Sequence, residues 1–313
     1  MSHQVLSLRR LTWALIMSVA GASSALAHEG RPHDLWTSWD CEPGIVLGLA
    51  LSAWLYSRGV RSLWQASAAG RGIQPWEAIS FGAGWLALGV ALISPLHPLG
   101  RVLFSAHMTQ HELLMLVAAP LLVLGRPLIP FIWGLPVAWR RWLGMVVRLE
   151  WVQGGWHALT KPLLAWSLHL VAVWIWHAPG LFQAALESAW VHALQHLSFL
   201  GSALLFWWAL IQGRQGRLGY GAAVLYVFAT SVHSSILGAL LTFAASPWYP
   251  AYTKTAASWG FTPIEDQQLG GLIMWVPAGM IYVLAGLGLM AGWLREAEGR
   301  VRQREGQALL KRQ

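Results

Sequence analysis

Residues 107–115 read HMTQHELLM inside an apolar run from Phe104 to Leu124. His107 and His111 are four apart, so a helix would present both imidazoles on one face. A second pair with the same spacing, His192 and His196, lies in another apolar run, Ala189–Ile211. Ionisable side chains are costly inside a membrane and are functional candidates there by default. Two matched histidine pairs point to a metal or cofactor site. Imidazole and thioether suit copper, whereas zinc would not call on methionine. Haem is usually clamped by one histidine from each of two helices, so an i, i+4 pair on each helix suits a small ion or a dinuclear centre better.

The elements that must position these pairs follow from composition. The chain has 313 residues, 56% hydrophobic and 11% charged, against about 25% charged in a soluble domain. Strand signals are missing, with no period-2 alternation and no Asn-Gly hairpins. The expectation is an all-α polytopic membrane bundle. Residues 1–27 read as a cleaved signal peptide: Arg9 and Arg10, an apolar run from Leu11 to Ala20, then Ala25-Leu26-Ala27. Residues 28–43 follow as an outer N-terminal segment. Seven stretches in 44–294 are candidate spans: Gly44–Tyr56 (extendable to Leu63), Trp76–Ser94, Val102–Leu124, Pro162–Trp176, Ala189–Ile211, Gly219–Phe243 and Leu269–Leu294. A crossing needs about 20 residues, so the first and fourth are short and would use flanking tryptophans at the interface. Residues 295–313 make a basic cytoplasmic tail. Leu128–Val147 is also apolar, but Pro130, Pro136 and the pair Arg140-Arg141 mark it as an interfacial segment on the inner side.

Charge sets the orientation. With the mature N-terminus outside, the inner loops and tail hold sixteen Lys and Arg and the outer segments three, Arg31, Arg101 and Lys254. That asymmetry obeys the positive-inside rule. It also explains the net charge of +8 without nucleic acid, for which no motif is present. The lone Cys41 cannot form an internal disulfide and reads as a free thiol.

This topology gives each histidine a depth. At 1.5 Å per residue, His107 and His111 lie about 9 and 15 Å from the outer end of their helix, and His192 and His196 about 8 and 14 Å. The two helices run in the same direction, so the pairs share one level. His97, in the outer loop PLHP, His177 at the outer end of the fourth span, His233 and Asp266 join that layer, while His157 and His169 stand apart. Met115 extends the His107/His111 face by one more i+4 step. Buried methionines are ordinarily core filler, and Met108 and Met274 are read that way. Glu265 fits a capping box with Thr262. Glu112 lies one residue off the histidine stripe, as a proton acceptor or a partner to a neighbour.

HMTQHELLMLVAAPLLVLGRP, WIWHAPGLFQAAL…WVHALQHLSFLGSALLFWW and EDQQLGGLIMWVPAG together resemble the multi-span CtaG family of cytochrome c oxidase assembly factors. The single-span copper chaperone sometimes given that name is unrelated. The resemblance runs from about Trp76 to Trp293 and implies a role in maturing haem–copper oxidases, with copper as the ion handled. The family's motif positions fall here on His107, His111, His177, His192, His196, Asp266 and Gln267.

The sequence thus predicts a multi-pass protein of a bacterial inner membrane, N-terminus periplasmic, C-terminus cytoplasmic. It would be a metallochaperone rather than an enzyme, since no nucleophile triad, P-loop or Rossmann signature appears. Its metal would be copper, as Cu(I), on His107, His111, His192 and His196, with His177, His233, Asp266 and Met115 as secondary ligands or their supports. Its partners would be the lipid bilayer, oxidase subunits and periplasmic copper chaperones. The rivals are a copper permease, which needs a polar path inward where only Ser167 and His169 are evident, and a haem-binding redox protein.

Overall fold

A computed structural model describes residues 38–67, 70, 72–212 and 219–310. The signal peptide expected at 1–27 and most of segment 28–43 lie outside the described residues. Among the described residues all regular structure is helical. The helices are α1 (Pro43–Ser67), α2 (Pro75–Ile93), the single turn α3 (Leu96–Leu99), α4 (Phe104–Leu124), α5 (Leu128–Gly134), α6 (Val137–Val147), α7 (Glu150–Leu159), α8 (Pro162–Trp176), α9 (Pro179–Glu187), α10 (Ala189–Ile211), α11 (Tyr220–Thr242) and α12 (Pro263–Leu310).

Five of these, α2, α4, α10, α11 and α12, are long and apolar enough to cross a membrane. A sixth crossing is available if α7 and α8 count as one span, although they meet at 64°. Among the described residues, length and composition thus support five or six of the seven stretches read from the sequence. Helix α8 alone has 15 residues, and α1, at 25 residues, is not apolar enough to count with the others. Leu128–Val147 forms two short helices broken at Pro136, neither long enough to cross, as its prolines and arginines predicted. The last span continues without a break into the basic segment as far as Leu310.

Prolines and caps punctuate the chain. Proline opens α2, α8, α9 and α12, where its missing N–H costs nothing. Gln74 and Glu77 form a reciprocal capping box on α2. Thr262 and Glu265 do the same for α12, Glu265 Oε2 accepting from the Thr262 amide at 2.8 Å, as the sequence predicted. Helix α4 widens into a π turn over Leu113–Ala118. Pro120 follows that turn; it offers no amide to the carbonyl four residues back and crowds it, and a wider turn relieves both problems.

The main core joins α4, α8, α10, α11 and α12 through Phe104, Leu116, Val173, Phe199, Phe206, Leu241 and Tyr282. Helices α11 and α12 meet at Gly238 and Gly271, where a Cβ on either would strike the other's backbone carbonyl within 3 Å. A second cluster ties α1 to α2 and α5, with Tyr56 stacked on Phe81 at 3.6 Å. Tyr56 also donates to the Gly125 carbonyl at 2.8 Å.

Candidate metal centre

Five imidazoles gather at one end of the bundle. His97 comes from α3, His107 and His111 from α4, and His192 and His196 from α10. Ring centroids are 4.3 Å apart for His107–His111 and 4.2 Å for His192–His196. Across the helices they are 5.4 Å apart for both His107–His192 and His111–His196. His97 lies on the same group, 5.3 Å from His192 and 5.9 Å from His196. All five are buried. The two pairs thus meet at one level, which requires α4 and α10 to run parallel.

The hydrogen bonds divide these rings into two kinds. His107 donates Nδ1–H to the Gly100 carbonyl at 3.2 Å, which leaves Nε2 as a lone-pair donor without a partner. Anchoring one imidazole nitrogen on a carbonyl is how proteins aim the other at a metal. His192 Nε2, His196 Nε2 and both nitrogens of His111 are likewise buried without partners. His97 differs, because both of its nitrogens are engaged. Nδ1 accepts from Gln110 Nε2 at 2.8 Å, so Nε2 carries the proton, facing Asp40 Oδ2 at 3.4 Å. The Arg101 guanidinium lies 3.4 Å from that Nε2 and 3.8 Å from Asp40. Burial first, then Arg101, pushes His97 down to about 4. His97 therefore closes the cluster on the side of Asp40 and Arg101 rather than offering it a free donor.

Aromatic rings cover another side. Phe182 from α9 lies 5.0 Å from His107, and Phe104 and Tyr249 stack at 4.9 Å. The segment between α11 and α12 is tied across this end: Tyr252 donates to the Gly100 carbonyl and Tyr249 to the His177 carbonyl, at 2.8 and 2.9 Å. Gln267 accepts from the Trp248 amide at 2.6 Å and pins the same segment.

The secondary residues are placed differently from one another. Asp266 is spent on backbone. Its Oδ2 accepts from the Phe104 amide at 2.6 Å, and its Oδ1 from the Ser105 amide and hydroxyl. It caps the helix that bears His107 and His111 and has no contact with the imidazoles. His177 donates Nδ1–H to the Val173 carbonyl and turns Nε2 toward Met108 Sδ. Burial holds His177 down at about 4, against the opposing pull of the Val173 bond. His233 is apart from the five rings: it faces Trp166 at 5.9 Å and interacts with His169, which bonds Ser202. Met115 is buried in the main core and falls within the π turn itself. Among the described residues no three His, Cys, Asp or Glu side chains already stand at metal-binding positions. The cluster is a set of buried imidazoles whose free nitrogens have no hydrogen-bond partner. Gln110 and Asp40, which fix His97, went unassigned in the sequence reading. Gln110 shares a helix face with His107 at i+3, but nothing local marks Asp40.

Residues 54–296 match the family model described as the cytochrome c oxidase caa3 assembly factor (Caa3_CtaG). Uncharacterized proteins of Mycobacterium bovis and Mycobacterium tuberculosis are each 28% identical over 235 residues, 71% of this chain and 35% of theirs. One from Mycobacterium leprae is also 28% identical, with the same coverage. The chain therefore spans about a third of the length of these relatives. No solved structure matches it.

Proposed function

We propose, from the premise that this chain belongs to the caa3 assembly factor family of cytochrome c oxidase, that it holds Cu(I) on His107, His111, His192 and His196 for insertion into the oxidase. The observation that carries this reading is the set of buried ring nitrogens without partners on those four histidines. A buried polar atom without a partner costs roughly 1–3 kcal/mol. Several at one spot are hard to account for unless something binds there.

The donor set also bears on the ion. Among the described residues no carboxylate is bonded to the four proposed ligands: Asp266 is bonded to the start of α4 and Asp40 faces His97. Four neutral ligands leave the ion's whole charge in an apolar setting. The self-energy of a buried ion grows with the square of its charge, so a monovalent ion costs about a quarter of a divalent one. That argues for Cu(I) over Zn(II) or Cu(II). The role is non-catalytic: the residues aim lone pairs, exclude water behind Phe104, Phe182 and Tyr249, and let an incompletely closed site release its ion. By the positive-inside rule this end of the bundle faces the periplasm, where periplasmic copper chaperones are the expected suppliers.

One observation favours a second reading, a permease. His169 on α8, Ser202 on α10 and His233 on α11 form a polar group, Ser202 lying six residues beyond His196, the direction an inward path would take.

A deletion strain tests the first reading. Active oxidase should fall under copper limitation while subunit transcription holds, and return with the wild-type gene but not with His107→Ala/His111→Ala. Normal oxidase activity in the deletion strain would overturn it. Copper uptake into the cytoplasm falling in the same strain would favour the permease.

A further inference from the structure

Outside the histidine layer, a contact between two lone-pair donors stands out. His177 Nε2 lies 3.4 Å from Met108 Sδ. Because His177 gives its Nδ1 proton to the Val173 carbonyl at 2.6 Å, the neutral ring presents a lone pair at Nε2. A thioether has no proton to give. Two acceptors therefore face each other at van der Waals distance, with no hydrogen bond between them. Both side chains are buried, Met108 at 0% and His177 at 3% exposure. Phe182 and Phe199 flank the imidazole, with ring centroids 6.5 and 6.1 Å away.

The surroundings hold the pair in place. Tyr249 donates to the His177 carbonyl at 2.9 Å. Gly270 lets α12 approach closely: a Cβ there would overlap the Phe104 ring and meet Met108 Cγ at 3.2 Å. A methionine serving only as filler has no reason to turn its sulfur to an imidazole lone pair instead of its methyl group.

We propose that Met108 Sδ and His177 Nε2 are the core of a second soft-metal site, for Cu(I), beside the histidine layer and distinct from it. The proposal rests on the reading that the layer itself takes Cu(I). Thioether and imidazole together select a soft monovalent ion. Metal–nitrogen and metal–sulfur bonds of roughly 2.0 and 2.3 Å sum to more than the gap, so the ion would sit to one side of the line joining the donors. His107 and His111 are within electrostatic range of His177, so an ion here has a short step to the layer. Two sites of different softness, side by side, are suited to passing an ion on rather than storing it.

X-ray absorption on purified full-length protein loaded with Cu(I) tests this, together with copper stoichiometry. The wild type should bind two ions per chain and show sulfur in the copper shell. Met108→Leu conserves volume and is expected to fold; it should lose the sulfur signal and one ion, keeping the other on nitrogen. His192→Ala/His196→Ala should keep the sulfur-bound ion and lose the other. A wild type with nitrogen-only copper, or a sulfur signal that survives Met108→Leu, overturns the second site and leaves the histidine layer standing. A wild type that binds no copper overturns both.

Discussion

Asp266 and Ser105 are joined by two hydrogen bonds across 161 positions of chain, the Ser105 amide and hydroxyl both reaching Oδ1, at 3.1 and 2.6 Å. With Oδ2 on the Phe104 amide, one carboxylate satisfies two of the donors that a helix N-terminus leaves open. A negative charge at that end also complements the helix dipole. The first turn of α12 thus fixes where α4 starts, and with it the level of His107 and His111.

Asp266→Ala should lower stability by about 2–3 kcal/mol, the cost of orphaned buried donors that had bonded a charged group. Asp266→Asn should recover part of it, because an amide oxygen can still cap. Thermal unfolding in detergent reads the loss, and copper titration reads its consequence for the site. An Ala variant with unchanged unfolding would dismiss the capping role.

The histidine pairs were legible because two periodicities act on them locally. The i, i+4 spacing put His107 with His111 and His192 with His196 on single faces, and a fixed rise per residue put both pairs at one depth. Counting Arg and Lys supplies an expected orientation, which the reporter fusions below test. Asp266 was legible as a polar group at the right level, but its use was not. It bonds residues 161 and 162 positions away, and no pattern within a helix encodes that. Met115 falls within the π turn at Leu113–Ala118, a local change of period that the i+4 step did not include. His97 was legible as a member of the layer, but not its bonding, because its partners, Gln110 and Asp40, come from segments on either side of α2.

Gly271→Ala tests the packing of α11 on α12. The added Cβ would meet Thr242 Oγ1 at 2.6 Å and the Gly238 carbonyl and Thr242 amide nitrogen at 2.7 Å. Two of those atoms are backbone and cannot rotate away. Overpacking of this kind costs about 1–3 kcal/mol, so the unfolding midpoint should fall. Gly201→Ala, whose Cβ meets nothing within 4 Å, should leave it unchanged. Equal midpoints for the two variants would show that the helices do not meet as described.

His97 gives a dependence on pH with a definite sign. Its folded value is held at about 4, below the ordinary 6.5, by burial and then by Arg101. As pH falls from 6.5 toward 4, the unfolded chain takes up this proton before the folded one does. The contribution to stability is therefore intact above about 6.5 and is lost on the way down to 4. Arg101→Gln removes the repelling charge and should raise the His97 value. Asp40→Asn removes the only carboxylate within 4 Å among the described residues and should lower it. Ring-carbon NMR titration of selectively labelled histidine measures both shifts. Shifts in the opposite directions would contradict the arrangement of Asp40, His97 and Arg101.

Orientation is the remaining premise of periplasmic copper delivery, and two reporter fusions decide it. His97, the start of α4, His177 and the segment between α11 and α12 lie at one end of the bundle, because Tyr252 bonds Gly100 and Tyr249 bonds His177. Helix α4 leads from that end to the other, where Arg126, Arg140, Arg141, Arg148 and Lys161 follow it in the chain. Basic loops are retained in the cytoplasm. Alkaline phosphatase is active only outside the cytoplasm, so a fusion after Trp259 should be active and one after Arg312 silent. The segment around Trp259 holds one basic residue, Lys254, and the tail from Arg295 holds six. The reverse result, a silent Trp259 fusion and an active Arg312 fusion, would turn the histidine cluster toward the cytoplasm. Its copper would then have to come from inside the cell, and delivery to the oxidase from the periplasmic side would fail as a mechanism even with the four-histidine site intact.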